Sequence, residues 1–394
     1  MSFDFVSEAE ALNDQLVSWR RDFHMYPELG FEEVRSAGII ADCLTEWGYQ
    51  VQTGVAHTGV AAVVEGEEPG PVVMVRFDMD ALRVTELNAV DYASRNPGAM
   101  HACGHDAHMA IGLGVAKLIA DHRAELAGTV KLVFQPGEEG LNGAEVMVQE
   151  GVLEAPRPDV FLSIHVWNDL PVGMVGVCPG PVMAAAETWS CLVSGRGGHG
   201  ALPHQTVDPI VASAQIVTAL QTIVSRNVSP FEQAVVTVGS LRGGDAFNVI
   251  PATAEMKGTV RTYDPGIRTL VLDRMHEIVA GVAQASGVEA NLQIDRLAPA
   301  LVNDPEVTGI VREAAESVLG KKNVVSDTRT MGSEDAAYFT QEIPGCYFFL
   351  GSANADRGKN APHHNAWFDV DEAVLPTGVA ILLTALGHYV WDGD

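Results

Sequence analysis

Residues 100–110 read MHACGHDAHMA, and His101, Cys103, His105, Asp106 and His108 crowd into eight consecutive positions. Soft, titratable side chains set beside glycine and alanine offer the N, O and S donors that bind zinc, manganese, cobalt or nickel. More donors follow apolar runs elsewhere. VVMVRF leads into Asp78 and Asp80, VKLVF into QPGEE with Glu138 and Glu139, and VFLSI into His165. Far along the chain, CYFFLGS precedes APHHNAWFD, which carries His363 and His364. Taken singly, a strand-end Asp is usually a cap, adjacent glutamates a solvated face, paired histidines a surface feature, and a lone Cys103 a small core residue. Their recurrence at the ends of separate apolar runs points instead to a shared metal site.

Five donors plus spare carboxylates exceed the four ligands one zinc usually takes. That excess points to two ions roughly 3.5–4 Å apart sharing a water, an arrangement that polarises a carbonyl and lowers the pKa of water. A carboxylate must then carry the proton from water to the leaving amine. The adjacent glutamates offer one ligand and one base, and in-line spacing leaves open which is which.

The elements that must position these residues are legible as patterns. Phe5, Ala9, Leu12, Leu16, Trp19 and Phe23 recur every three or four residues and predict an amphipathic first helix. VAAVVEG, PVVMVRF, GTVKLVF and DVFLSIHV read as strands, separated by helical patterns in HMAIGLGVAKLIADH and GAEVMVQEG. CGHDAH lies just before the first of those helices. Strands apolar on both faces and alternating with helices predict an α/β fold: a mainly parallel mixed sheet flanked by helices. Ligand sites in such sheets lie outside the carboxyl ends of the strands.

After PGPVMAAAE the grammar changes to βαββαβ: TWSCLVSGRG, DPIVASAQIVTALQTIVSR, AVVTVGSLRGG, AEMKGTVRTY, a helix from Pro265, and ANLQIDR. That order suits an inserted, antiparallel α+β ferredoxin-like domain. The boundaries read as 1–183 and 298–394 for the two parts of the metal-binding domain and 184–297 for the insertion.

Composition narrows the function. The 394 residues suit two domains, and 47% hydrophobic residues supply a large core. A formal net charge of -27 repels nucleic acid and anionic membrane surfaces. Five cysteines without a C-x-x-C suggest reduced thiols. The acidic N-terminal stretch lacks a signal-peptide pattern, and no apolar run reaches the roughly 18 residues of a membrane span. A cytoplasmic protein with a small-molecule substrate, bound to neither nucleic acid nor membrane, is expected.

RFDMDAL, MHACGHDAH, FQPGEEG, SIHVWNDLPVG, SGRGGHGALPH, FNVIP, GTVRT, GSEDAAYF and HHNAWFD occur in the order found in metal-dependent amidohydrolases. In these motifs the chain resembles hippurate hydrolases, N-acyl-amino-acid amidohydrolases and auxin-conjugate hydrolases, relatives of the co-catalytic zinc carboxypeptidases. The resemblance spans nearly the whole chain and implies a zinc-peptidase-like fold holding two divalent ions (Mn, Zn, Co or Ni). It implies Cys103, His105, Glu139, His165 and His364 as ligands, His364 being preferred to His363 because it stands four residues before Phe368. By the same resemblance Glu138 is the general base and Asp80 the acid that orients the site. Asp78 sits where the related carboxypeptidases have a ligand histidine. The inserted domain would be a lid and dimer interface, with His199 stabilising the oxyanion, from the partner subunit. Asn248 and Arg261 would contact the substrate's carbonyl or carboxylate. Relatives commonly read MDALP, whereas Arg83 follows Leu82 here and reads as a solvated surface residue. Glu334 and Asp335 match the family without an assignable chemistry, and support of the site is the mildest role for them.

The implied reaction is hydrolysis of N-acyl amino acids of acetyl or benzoyl type. The rival readings are a peptidase or carboxypeptidase acting on small dipeptides, a Cys103 nucleophile with His105 as base, and a non-catalytic binding protein. Two residues of separation are awkward for a nucleophile–base pair, and an intact base-plus-ligand set is more than a binding protein requires.

Overall fold

The computed structural model describes residues 3–391. The chain divides into two compact units: one runs through Val182 and resumes at Val302–Arg329 and from Asp335, and the other comprises Met183–Leu301 with Thr330–Glu334.

The first unit is built on an eight-stranded sheet. Its strands are β1 (Gln50–Val55), β2 (Gly59–Glu65), β3 (Glu68–Asp78), β4 (Ala127–Gln135), β5 (Val160–Pro171), β6 (Val175–Gly176), β7 (Val324–Val325) and β8 (Gly345–Ala353). They lie in the order β1-β2-β4-β3-β5-β8-β6-β7. The central pairs β4/β3, β3/β5 and β5/β8 are parallel, while β1/β2, β2/β4 and β8/β6 are antiparallel. The expected mixed, mainly parallel sheet is present. β3 and β4 are buried along their final residues and β8 along all but its last, which explains their unbroken apolar runs.

Two local readings change. The first amphipathic pattern forms two helices, Phe5–Ala11 and Asn13–Met25, which meet at Leu12. CGHDAH does not simply precede a helix, because the helix His105–Asp121 starts within it. Gly104 sets that start with φ +88°, and a Cβ there would lie 2.3 Å from Val166 Cγ2. Only glycine combines that dihedral with so close a neighbour.

In the second unit, strands Ala234–Arg242, Thr253–Thr262, Ala185–Ser194 and Glu289–Ala298 form one sheet in that spatial order. All three pairings are antiparallel. Numbered along the chain this is 2-3-1-4, the ferredoxin-like order expected from βαββαβ. Helices Pro209–Thr222 and Pro265–Ser286 pack a core around Trp189, Ile216, Leu220, Met256 and Met275. Both begin at an Asp-Pro pair. Asp208 accepts the Ile210 and Val211 N–H groups, Asp264 accepts that of Ile267, and proline fills a first-turn position whose missing donor costs nothing. Among the described residues, no helix is long and apolar enough to cross a membrane.

Candidate metal centre

The first unit gathers its donors where β3, β4 and β5 approach the helix His105–Asp121. β3 pairs with β5 only from Val73 to Arg76, so the ladder ends before β5 does. His165 therefore lies inside β5, which runs on to Pro171, rather than at its end. Beyond the ladder an imidazole replaces a strand partner: the Val166 N–H donates to His108 Nε2 at 2.9 Å. His108 Nδ1 then carries the proton and donates it to Asp78 Oδ1. Asp78 also accepts from Arg76 Nη1 at 2.8 Å and lies 3.7 Å from His105 Nε2. Burial opposes its charge, but His105, His108 and Arg76 hold Asp78 well below the usual carboxylate range. His108 is thus a satisfied core histidine that fixes an acid.

Asp80 takes two roles at once. One oxygen accepts the Glu139 N–H at 2.9 Å, and the other lies 3.3 Å from His105 Nδ1. The turn that delivers the glutamates is held from behind by fully buried Glu33, which accepts the Gly137 N–H at 2.9 Å and the Thr58 hydroxyl at 2.5 Å. Gly137 needs its freedom, with φ +62° and a hypothetical Cβ 2.9 Å from the Phe31 ring.

Five overlapping sets of potential ligands result: Cys103–His165–His363, Cys103–Glu139–His364, His105–Glu138–Glu139, Asp78–His105–His108 and Glu138–Glu334–Asp335. Within each set the donor atoms lie within 4.8 Å of one another. Cys103 Sγ is 3.5 Å from His165 Nε2, and Glu139 Oε1 is 3.2 Å from His364 Nε2. Cys103, His105, Glu138, Glu139, His165, His364 and Asp80 therefore come together. His363, passed over in favour of its neighbour, joins them 3.6 Å from Cys103. His101 joins no set; both its ring nitrogens are buried without a hydrogen-bond partner, and burial lowers its pKa to about 3.

The donor set fits cations. Both His105 nitrogens, Asp80 Oδ1 and Glu139 Oε1 are buried without a hydrogen-bond partner among the described residues, an expensive condition unless something else satisfies them. Burial alone would lower the His105 pKa, yet Asp78, Asp80 and Glu139 raise it to about 10. Burial, together with the Glu139 and Glu138 carboxylates, also pushes the Cys103 thiol up. His165 is held well below its usual range by burial and by His108 and His363. Carboxylates in excess, imidazoles and a cysteine near them match the ligand chemistry of divalent transition metals.

The remaining expected residues lie in the second unit. His199 is exposed on a two-residue strand that pairs with Val249, and Asn248 is next to it, its carbonyl accepting the Gly200 N–H at 2.8 Å. The Ala201 N–H donates to His199 Nδ1 at 3.0 Å, so Nε2 carries the proton of the neutral ring. Arg261 is half-buried, donates to Val260 O at 3.0 Å, and has its pKa lowered by burial against the pull of Glu187.

Sequence reasoning missed a buried clamp. Fully buried Arg20 donates to Asp106 at 2.7 Å and to Asp369 at 2.7 Å, and His24 Nδ1 lies 2.7 Å from the same Asp106 oxygen. Arg20 and His24 are four apart on the inward face of an amphipathic helix, where charge is rarely buried unpaired. That was the available signal. Asp335, to which no chemistry was assigned, accepts from Gln135 Nε2 at 2.7 Å and the Ala144 N–H at 2.9 Å, tying the end of β4 to the helix beyond the glutamates.

Residues 74–388 match the peptidase family M20/M25/M40. N-acetyl-L-cysteine deacetylase of Bacillus subtilis is 40% identical, the alignment covering 92% of this chain and 85% of that one. Thermostable carboxypeptidase 1 of Saccharolobus solfataricus is 36% identical over 94% of both chains. The crystal structure of the Bacillus subtilis YXEP protein, a dinuclear metal binding peptidase from the M20 family, superposes with a TM-score of 0.83 at 34% identity. That match covers 95% of this chain and 98% of the YXEP chain. The chain belongs to peptidase family M20/M25/M40 and is a hydrolase of the metal-dependent amidohydrolase type.

Proposed function

We propose that the protein hydrolyses the amide bond of N-acyl amino acids of acetyl or benzoyl type, releasing a carboxylate and a free amino acid. The observation that carries this reading is the convergence of Cys103, His105, Glu138, Glu139, His165 and His364 in one partly buried cluster, in which both His105 nitrogens and Glu139 Oε1 lack a hydrogen-bond partner among the described residues. Similarity to a deacetylase of N-acetyl-cysteine supports the substrate class.

Cys103, His105, Glu139, His165 and His364 would hold two divalent ions, of manganese, zinc, cobalt or nickel. When bound, such a pair supplies Lewis acidity toward a carbonyl and lowers the pKa of water. Glu138 takes the proton from the attacking water and returns it to the leaving nitrogen. Asp80 orients His105 and, through the Glu139 N–H, the glutamate turn. His199, donating from Nε2 in the partner subunit of a homodimer, stabilises the developing oxyanion. Asn248 and Arg261 bind the substrate's carbonyl or carboxylate. Exposed Val235 and Leu241 on an edge strand of the second unit, with exposed Phe231 and Phe247 on its loops, support a self-association surface there.

The similarity to a carboxypeptidase favours one second reading, cleavage of small dipeptides. A panel of acetyl-, benzoyl- and longer-acyl amino acids beside dipeptides, assayed with each metal, separates the two. Glu138→Gln is expected to keep both metal equivalents while turnover falls about 10²–10⁴-fold. Activity that survives exhaustive chelation would overturn the metal mechanism.

A further inference from the structure

Cys103 lies between two imidazoles in opposite hydrogen-bonding states. His165 Nδ1 is 2.6 Å from the Val166 carbonyl, which can only accept, so Nδ1 carries the proton and Nε2 presents a lone pair 3.5 Å from Cys103 Sγ. His363 is arranged the other way. Its Nε2 accepts the backbone N–H of Asn168 at 3.2 Å, which uses that nitrogen's lone pair. In the neutral ring the proton must then sit on Nδ1, the atom 3.6 Å from Cys103 Sγ.

The ring is not free to turn. Trp167 stacks on it with centroids 4.8 Å apart and planes 29° apart, and Phe368 lies against it at 4.8 Å. The Asn168 side chain holds the same segment, donating to the Ala361 and Asp369 carbonyls at 2.9 and 3.0 Å. A rigid imidazole N–H that meets Cys103, within reach of its sulfur and of its backbone carbonyl, is thus fixed by β5 and by the 361–369 segment together. By distance alone His363 would count as a third ligand beside Cys103 and His165; its tautomer says otherwise.

We infer that His363 is not a metal ligand but a positioning residue, donating its Nδ1–H to the metal-bound thiolate of Cys103. This rests on the reading above that Cys103 is a ligand. A donor at the sulfur withdraws charge from the thiolate, so it tempers electron donation to the cation and fixes the direction of the sulfur lone pairs. It also explains the doubled histidine of HHNAWFD: His364 meets Glu139, while His363 serves the cysteine.

The test uses the full-length protein loaded with cobalt(II), whose thiolate-to-metal charge-transfer absorption reports the sulfur directly. His363→Phe keeps a ring beside Trp167 and removes the donor. The expected result is two bound cobalt ions per chain, a charge-transfer band moved to longer wavelength, and metal retention weakened about 10–100-fold. His363→Gln, which restores an N–H donor, should move the band back toward the wild-type position. Loss of one cobalt equivalent in His363→Phe would make His363 a ligand and overturn the inference, as would an unmoved band. Absence of any charge-transfer band in the unmodified protein would instead remove Cys103 as a ligand, and the reading beneath the inference with it. Imidazole ¹⁵N spectra of the unmodified zinc-loaded protein give a check that needs no variant to fold: a His363 Nδ1 without its proton overturns the inference.

Discussion

Asp78 shows how much one carboxylate does at the level of a single residue. It accepts from His108 and Arg76, lies beside His105, and has no exposure to solvent. Asp78→Ala would leave the buried Arg76 guanidinium short of a partner and His108 without its acceptor. A loss of about 3–5 kcal/mol is expected, read from the denaturation midpoint of the metal-free protein. At this scale the sequence was informative wherever donors cluster in a motif, as in CGHDAH and QPGEE. The spacing to Phe368 singled out His364 from its neighbour, but nothing in it said what His363 would face, because that depends on the backbone at His364, where φ is +64°. The sequence could not pair Arg20 with Asp369, whose 349-residue separation leaves no local pattern to read.

Elements place these residues by how they begin and end. The helix His105–Asp121 starts from a left-handed glycine, so Gly104→Ala meets both dihedral strain and Val166. The combined cost is about 3 kcal/mol, with looser cobalt binding in equilibrium titration because His105 shifts along with the helix start. The glutamate turn is governed by Glu33, whose pKa burial raises from 4.5 to about 7, with Asp80 adding to the effect and the Thr58 hydroxyl opposing it. A folded-state pKa above the unfolded one gives stability that is complete below about pH 4.5 and is lost as pH rises through 7. Glu33→Gln keeps an acceptor for the Gly137 N–H but cannot titrate. Wild-type stability should therefore fall by about 3 kcal/mol from pH 4.5 to 7 relative to that variant, in paired denaturation series. Strand and helix identities were readable from periodicity, and the Asp-Pro starts from cap chemistry. The site of the β3/β5 ladder's end was not, since it is set by pairing rather than by either strand's own residues.

Across the whole molecule, 51 acidic side chains against 24 basic ones mean that cation binding relieves charge as well as completing a cluster. Metal removal should lower the thermal midpoint without abolishing the fold, because the apolar core of the first unit does not depend on the cluster. Restoring cation at 100 times its dissociation constant should return about 2.7 kcal/mol per site, visible as a rise in Tm. A midpoint indifferent to chelation would mean that the cluster holds nothing in the folded state. The βαββαβ insertion was legible from its grammar, whereas self-association leaves no trace that one chain's pattern can spell out. The Arg20 clamp bears on how the protein is made. An arginine from the first helices waits for Asp106 and then for Asp369, so a chain emerging from the ribosome holds only half a grip until its final segments appear. His363 and His364 arrive just ahead of Asp369. On the proposed ligand set, cation capture becomes a late event of biosynthesis, since His364 is among the last residues made, and a polypeptide truncated before Asp369 would lack one arm of the clamp.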